Sequence, residues 1–245
     1  MIDRTTLAST ATHSEVKIWH FKSDLRPYRY KMHKGAVNCC QFSSDGKILA
    51  TGGQDGRVFL WKCVAEGDKH NANFTAHSAP VHSVVFSKDN NFLVTAGSDK
   101  IIKMWRVLNG YKKVKFNRSF VGHTNWVLKA DISPDCNLIA SVCDKVLKVW
   151  ETGTAKEIIS YRNVESGNRC LEFHPEGNYV AIGGGSGVLQ VFDIRAMKFA
   201  QVYENEVGVN QISFHQNGVY LAVALDFNPR YRNSVLKVRR FEDFR

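Results

Sequence analysis

Residues 76–105 read AHSAPVHSVVFSKDNNFLVTAGSDKIIKMW, and this stretch decides the fold. Val81 to Phe86 alternates apolar and polar residues and then runs fully apolar. Ser87 to Asn91 is a turn, Phe92 to Thr95 a second apolar run, Ala96 to Lys100 a second turn, and Ile101 to Trp105 a third run. β-Branched and aromatic residues fill the runs, while Gly, Asp, Asn and Ser fill the gaps, so the stretch predicts three short strands. A three-strand unit of this size cannot bury both of its faces alone and must stack on copies of itself.

The copies are present. Residues 32–61 read MHKGAVNCCQFSSDGKILATGGQDGRVFLW, and residues 122–150 read GHTNWVLKADISPDCNLIASVCDKVLKVW. Trp19, Trp61, Trp105 and Trp150 lie 42, 44 and 45 residues apart, and Phe192 follows 42 later. A period of about 40–45 residues that opens on a His and closes on an aromatic resembles the WD40 repeat, whose unit is a four-stranded propeller blade. The resemblance implies an all-β WD40 β-propeller of the seven-bladed kind, with about six blades' worth of sequence here. A fourth, outer strand is expected just before each His, as at Ala72 to Ala76 and Ser119 to Val121.

An unbroken repeat argues for one domain over residues 1–245. Its blades are expected at roughly 1–32 (partial), 33–76, 77–122, 123–163, 164–205 and 206–245 (partial). The first lacks an inner strand and the last an outer one, so the two ends do not complement each other; either the ring is open or the chain is a fragment. Leu108 to Arg118 reads as a basic loop, and Asp226 to Asn233 as an insertion that puts Arg239 at the aromatic position of the last repeat.

Composition narrows the function classes. No apolar run approaches the roughly 20 residues needed to span a bilayer, and Asp3 and Arg4 precede a polar run rather than the apolar core of a signal peptide. The cysteines at 39, 40, 63, 136, 143 and 170 show no CxxC and sit mostly in strand patterns, which reads as reduced thiols in a cytosolic or nuclear compartment. With 33 Lys and Arg against 23 Asp and Glu, the net charge is +10. That excess favours an acidic partner: a nucleic-acid backbone, an anionic membrane or an acidic protein surface.

A His, a hydroxyl and a carboxylate recur with the aromatic: His33, Thr51, Asp55 and Trp61; His77, Thr95, Asp99 and Trp105; His123, Ser141, Asp144 and Trp150. The combination invites a catalytic triad, but a nucleophile needs one exposed site, not three copies at blade edges. A structural network explains the repetition: His bridges Asp and hydroxyl, and the Trp nitrogen donates to the hydroxyl. Asp45, Asp89, Asp135 and Glu176 occupy the same turn of successive repeats, so they do not converge on one ion. The glycines at 183, 184, 185 and 187 precede a strand rather than the helix a phosphate loop requires. The reading therefore assigns no catalytic residue, no metal ligand and no cofactor.

The candidate partner-binding residues are basic or exposed. Lys112, Lys113, Lys115 and Arg118 cluster beside Tyr111; Arg230 and Arg232 flank Tyr231, with Arg239 and Arg240 beyond; Lys34 follows His33. Basic residues interleaved with Tyr suit phosphate contact and stacking, or an acidic protein surface. Trp126, two residues beyond Thr124, is a hot-spot type if it stands on the surface.

Beyond the repeat, VKIWHFKSDLRPYRYKMHKGAV, GHTNWVLKADISPD and VFDIRAMKFAQVYENEVGVNQISFHQNGVYL, with FHP at Phe173 to Pro175, resemble successive blades of the protein of centriole (POC) family over about Leu7 to Val238. The resemblance implies a non-enzymatic scaffold of centrioles and basal bodies that binds tubulin in the microtubule wall and supports cilium assembly. It also implies a cytoplasmic, cytoskeletal location that extends to the axoneme, other centriolar proteins as partners and no membrane. Two features depart from that family, which has seven blades and a C-terminal coiled coil; nothing here has heptads. An RNA-associated propeller of ribosome assembly and a peptide-binding adaptor are the rival readings.

Overall fold

In a computed structural model of the protein, residues 6–10, 14–20, 27–63, 70–162, 164, 167–228 and 233–241 are described. Among them every regular element is a strand. The chain divides into two compact units, Met1–Thr124 and Asn125–Arg245, with three antiparallel sheets in each.

In the first unit, β1 (Thr6–Thr10), β2 (Val16–His20) and β3 (Tyr28–Tyr30) form a three-stranded sheet. β4 (Val37–Phe42), β5 (Ile48–Gly53), β6 (Arg57–Lys62) and β7 (His70–Thr75) form the second sheet, and β8 (Val81–Phe86), β9 (Phe92–Gly97), β10 (Ile101–Leu108) and β11 (Lys113–Val121) the third. In the second unit, β12 (Lys129–Ile132), β13 (Leu138–Cys143), β14 (Val146–Glu151) and β15 (Glu157–Tyr161) make one sheet, and β16 (Asn168–Phe173), β17 (Tyr179–Gly184), β18 (Val188–Asp193) and β19 (Lys198–Glu204) the next. β20 (Val209–Phe214), β21 (Tyr220–Asn228) and β22 (Asn233–Arg240) form the last, three-stranded one. Each sheet is a meander in sequence order, as expected of a propeller blade. The first and last blades are short by one strand among the described residues.

The middle strands explain their own sequences. β5 and β17 carry ILATGG and YVAIGG and are buried almost throughout, because an apolar layer lies on each face. One such layer joins Ala50 and Leu60 of the second sheet to Val81, Val84 and Leu93 of the third. Another joins Leu189 and Val191 of β18 to Val209, Ile212 and Val223 of the last sheet.

One irregularity recurs. The pairing of third and outer strands slips by a residue between Leu60 and Trp61, Met104 and Trp105, Val149 and Trp150, and Val191 and Phe192. Each bulge sits next to the aromatic that closes the repeat. The aromatic then meets the outer strand of the preceding sheet: Trp61 on Tyr30 at 5.0 Å, Trp105 on Phe74 at 4.5 Å, Phe192 on Tyr161 at 5.4 Å. Such ring pairs add about 0.5–1.5 kcal/mol each beyond burial.

Two expectations are corrected. Leu108 to Arg118 is not a loop: β10 runs through Leu108, Asn109 to Lys112 turn, and β11 starts at Lys113. Val107 pairs with Val114, and both pack beside Trp105 on the core between the second and third sheets, so the hairpin continues where its charge suggests a solvated connection. At the insertion expected from Asp226 to Asn233, β21 runs on through Asn228 and β22 starts at Asn233, with Phe227 opposite Ser234 and Asn228 opposite Asn233; residues 229–232 lie outside the described residues.

Candidate functional site

The repeated polar residues form closed networks. In the second sheet, His33 Nε2 lies 2.9 Å from Thr51 Oγ1, His33 Nδ1 lies 3.1 Å from Asp55 Oδ1, and Trp61 Nε1 donates to Thr51 Oγ1 at 2.8 Å. In the third, the matching distances are 2.8 Å (His77 Nε2 to Thr95), 2.8 Å (His77 Nδ1 to Asp99) and 2.9 Å (Trp105 to Thr95). The chemistry follows from donor counting. An ionised Asp only accepts, so Nδ1 carries the ring proton and Nε2 accepts from the threonine hydroxyl. The threonine oxygen in turn accepts the indole N–H, so the polar side-chain atoms of each network are partnered by one another.

Electrostatics agrees. Burial dominates at His33 and His77 and lowers both pKa values, keeping the rings neutral. Burial works against the Asp55 carboxylate too, but the Lys34 amide, the His33 ring and the Arg57 amide outweigh it and hold its pKa below the ordinary value. The side chains of His33 and His77 are 1% and 0% exposed, so these triads are sealed from any substrate. In the fourth and first repeats, Trp150 Nε1 donates to Ser141 Oγ at 2.9 Å and Trp19 Nε1 to Ser9 Oγ at 3.0 Å. His123 is buried near the end of the first unit, while Ser141, Asp144 and Trp150 belong to the second.

The acidic turns are local. Ser43 Oγ donates to Asp45 Oδ1 at 2.6 Å, and that oxygen accepts the Lys47 amide at 3.1 Å. The same side-chain turn recurs at Asp89 and Asp135. No group of three or more His, Cys, Asp or Glu among the described residues could hold a metal ion. Nor is any helix long and apolar enough to cross a membrane.

The basic cluster becomes a surface once register is known. Across the β10–β11 pair, Leu108 faces Lys113, Arg106 faces Lys115, and Met104 faces Arg118. Residues at alternate positions share a face, so Lys113, Lys115, Arg118 and Arg106 lie on one face of the hairpin. Lys112 stands exposed at its tip, and Arg106, Lys113 and Lys115 are exposed as well. Arg106 was not among the residues expected from sequence; only the pairing brings it opposite Lys115. From Lys100 to Ala130 the chain carries eight Lys or Arg and no Asp or Glu. Directly opposed like charges cost roughly 0.2–1 kcal/mol, and no ion pair to Arg106, Lys112, Lys113 or Lys115 occurs among the described residues.

The other candidates are scattered. Lys34 is exposed, but its backbone N–H donates to Asp55 Oδ2 at 2.8 Å. Trp126 is 56% exposed. Arg230 and Arg232 lie outside the described residues. Arg240 is exposed. Arg239 takes the place its aromatic counterparts take elsewhere: its guanidinium stacks 4.8 Å over Tyr203 of the preceding outer strand and donates to Asn205 Oδ1 at 3.1 Å. That contact holds two sheets together and corrects the picture of Arg239 as an exposed binding residue.

A further set of residues escaped the sequence reading. The penultimate residue of an inner strand reaches the final amide of the next inner strand. Gln41 Oε1 accepts from Phe86 N at 2.6 Å, Asp131 Oδ2 from Phe173 N at 2.8 Å and Glu172 Oε2 from Phe214 N at 3.3 Å. Burial pushes Asp131 up to about 6, and burial together with the nearby Asp131 charge pushes Glu172 up to about 8.

Comparison with known proteins agrees with this architecture. The "WD domain, G-beta repeat" family matches residues 26–62, 68–106 and 114–151. A guanine nucleotide-binding protein β subunit of Arabidopsis thaliana is 25% identical over 213 residues, covering 82% of this chain and 56% of its own. The U5 small nuclear ribonucleoprotein 40 kDa protein of Dictyostelium discoideum is 24% identical over 185 residues, covering 74% and 39%. Telomerase protein component 1 of Rattus norvegicus is 38% identical over 68 residues, covering 27% and 2%. The chain spans little more than half the length of the guanine nucleotide-binding subunits it matches. The fold is an all-β WD40 β-propeller, with six blades among the described residues. WD40 propellers act as scaffolds for protein interaction, and this chain carries their repeats.

Proposed function

We propose that this chain is a non-enzymatic scaffold that binds the acidic surface of microtubules and works at centrioles, basal bodies and the axoneme within the cytoskeleton. The observation that carries the reading is the cationic face of the β10–β11 hairpin, where Arg106, Lys113, Lys115 and Arg118 lie together. Electrostatic complementarity of this kind sets partner choice and association rate more than raw affinity. The sealed His–Thr–Asp networks support a structural rather than a chemical role for the titratable residues. The blade-by-blade resemblance to the protein of centriole family supplies the cellular setting.

Co-sedimentation with taxol-stabilised microtubules, set against retention on RNA at about 0.15 M salt, tests the proposal. The chain is expected to pellet with microtubules, and Lys112→Glu, Lys113→Glu and Lys115→Glu combined are expected to release it. Pelleting that survives the triple reversal overturns the reading. A second reading, that of an adaptor for a peptide, is favoured by Trp126, which is 56% exposed. Under it Trp126→Ala loses one specific pull-down partner and leaves microtubule binding intact. The ribonucleoprotein name of one relative keeps RNA in the comparison as the competing ligand.

A further inference from the structure

We propose that the outer edge of β11 takes up an extended acidic segment of a partner protein as a fifth strand of its sheet. The inference rests on the reading of this chain as a scaffold for an anionic partner, and it states the form the partner takes at this site.

Four facts point to strand addition. Among the described residues β11 is the outermost strand of its sheet, with β10 as its neighbour. It is nine residues long, against six, five and seven for the equivalent outer strands β7, β15 and β19. Ahead of the bulge at Asn117, residues 113–116 pair with β10 in unbroken register and present their remaining amides and carbonyls on the outer side. Lysines on such an edge ordinarily block pairing with another strand, and the block is lifted only for a strand that brings carboxylates.

Geometry then specifies the occupant. Lys113 and Lys115 are two residues apart on one face, roughly 6.8 Å along the strand, and a neighbouring strand lies roughly 4.8 Å away. An added strand with carboxylates at alternate positions places them across from those lysines. The opposite face carries Val114 and Phe116; Phe116 is 50% exposed and meets Trp105 edge-on at 5.5 Å. Apolar residues at the intervening positions of the added strand cover that ring. The segment thus alternates acidic and apolar side chains. A nucleic-acid strand fits less well, since stacking platforms place aromatic rings beside the cations that hold the backbone, and here Phe116 lies on the face away from Lys113 and Lys115.

The test uses the whole chain and a fluorescent peptide of about eight residues that alternates Glu and Val, with binding followed by anisotropy. The peptide is expected to bind, and a peptide of the same composition with the glutamates grouped at one end to bind about tenfold more weakly. Lys113→Glu with Lys115→Glu is expected to weaken binding by about tenfold or more, with thermal unfolding unchanged because both side chains are exposed. Two further peptides carry N-methyl groups on every Glu or on every Val. Only one edge of an added strand pairs, so one of these is expected to lose binding and the other to keep it. If both N-methylated peptides bind like the parent, or if a uridine-rich RNA of the same length displaces the peptide with the same sensitivity to the variant, strand addition is overturned. If no peptide binds while the same variant still loses microtubules in co-sedimentation, strand addition falls and the acidic-partner reading stands.

Discussion

Gln41 and Glu172 hold the same place in their inner strands and perform the same task, one as an amide and one as an acid. Gln41 Oε1 accepts from Phe86 N at 2.6 Å, and Glu172 Oε2 accepts from Phe214 N at 3.3 Å. A neutral amide does this at any pH. The carboxyl, buried and close to Asp131, is displaced from 4.5 to about 8.

Glu172→Gln therefore keeps the bridge and removes the ionisation. A raised carboxyl pKa contributes stability that is present below the unfolded value and lost as pH rises through about 8. The variant is expected to match the parent at pH 5 and to exceed it at pH 9 by about 1 kcal/mol, or roughly 2–4 °C in Tm for a chain of this size. Thermal unfolding at the two pH values reads the difference; an equal Tm at pH 9 counts against the assignment.

The two units respond to acid in opposite directions. His33 and His77 in the first unit have lowered pKa values, so their contribution is complete above the ordinary value of 6.5 and is lost as pH falls below it. Asp131 and Glu172 in the second unit are raised and gain as pH falls. Hydrogen exchange at pH 7 and pH 5, corrected for intrinsic rates, is expected to show protection falling in β5 and β9 and holding or rising in β16 and β20. A parallel change in both sets contradicts this.

Thr95→Val keeps the shape of the side chain and removes the shared oxygen. Trp105 Nε1 and His77 Nε2, at 2.9 and 2.8 Å from it, then stay buried without a partner. Each stranded group costs about 1–3 kcal/mol, so urea unfolding is expected to show a loss of roughly 2–5 kcal/mol. A loss below about 0.5 kcal/mol, the scale of an ordinary surface change, excludes the network as a stabilising device.

Within the glycine run, neighbouring positions differ sharply. A Cβ on Gly184 lies 2.1 Å from Gly167 O and 2.6 Å from Asn168 Cα, both backbone, whereas a Cβ on Gly185 meets nothing nearer than 3.8 Å. Gly184→Ala is expected to disrupt the fifth blade and reduce soluble yield, and Gly185→Ala to behave as the parent. Circular dichroism and expression yield compare them. The contrast marks the run as a close backbone crossing rather than a ligand cradle.

The fold was legible because its signals are local. Trp spacing gave the period, and the SSDGK and SKDNN turns set the hairpins. The site was less legible because pairing register is not written in any one segment. Arg106 meets Lys115 only through the register of the hairpin, Arg118 joins their face only through a bulge at Asn117, and Val107 and Val114 reveal the hairpin only once their burial is known. Asp131 and Glu172 sit at alternate polar positions of strands, which read as solvent-facing until the next inner strand is in place. Arg239 looked like a surface cation because Tyr203, the ring beneath it, lies 36 residues earlier in the chain.

The bridges between inner strands give each unit a polarity. In these bridges the acceptor is a side chain of the earlier sheet and the donor a backbone N–H of the later one, as from Gln41 to Phe86 and from Glu172 to Phe214, whereas the side chains of Asn38 and Arg169 donate the other way, to the carbonyls of Val81 and Val209. Trimming from the carboxyl end of a unit bares an acceptor, which water readily serves. Trimming from the amino end orphans an amide among apolar neighbours. Nested deletions should therefore be better tolerated from one direction than from the other.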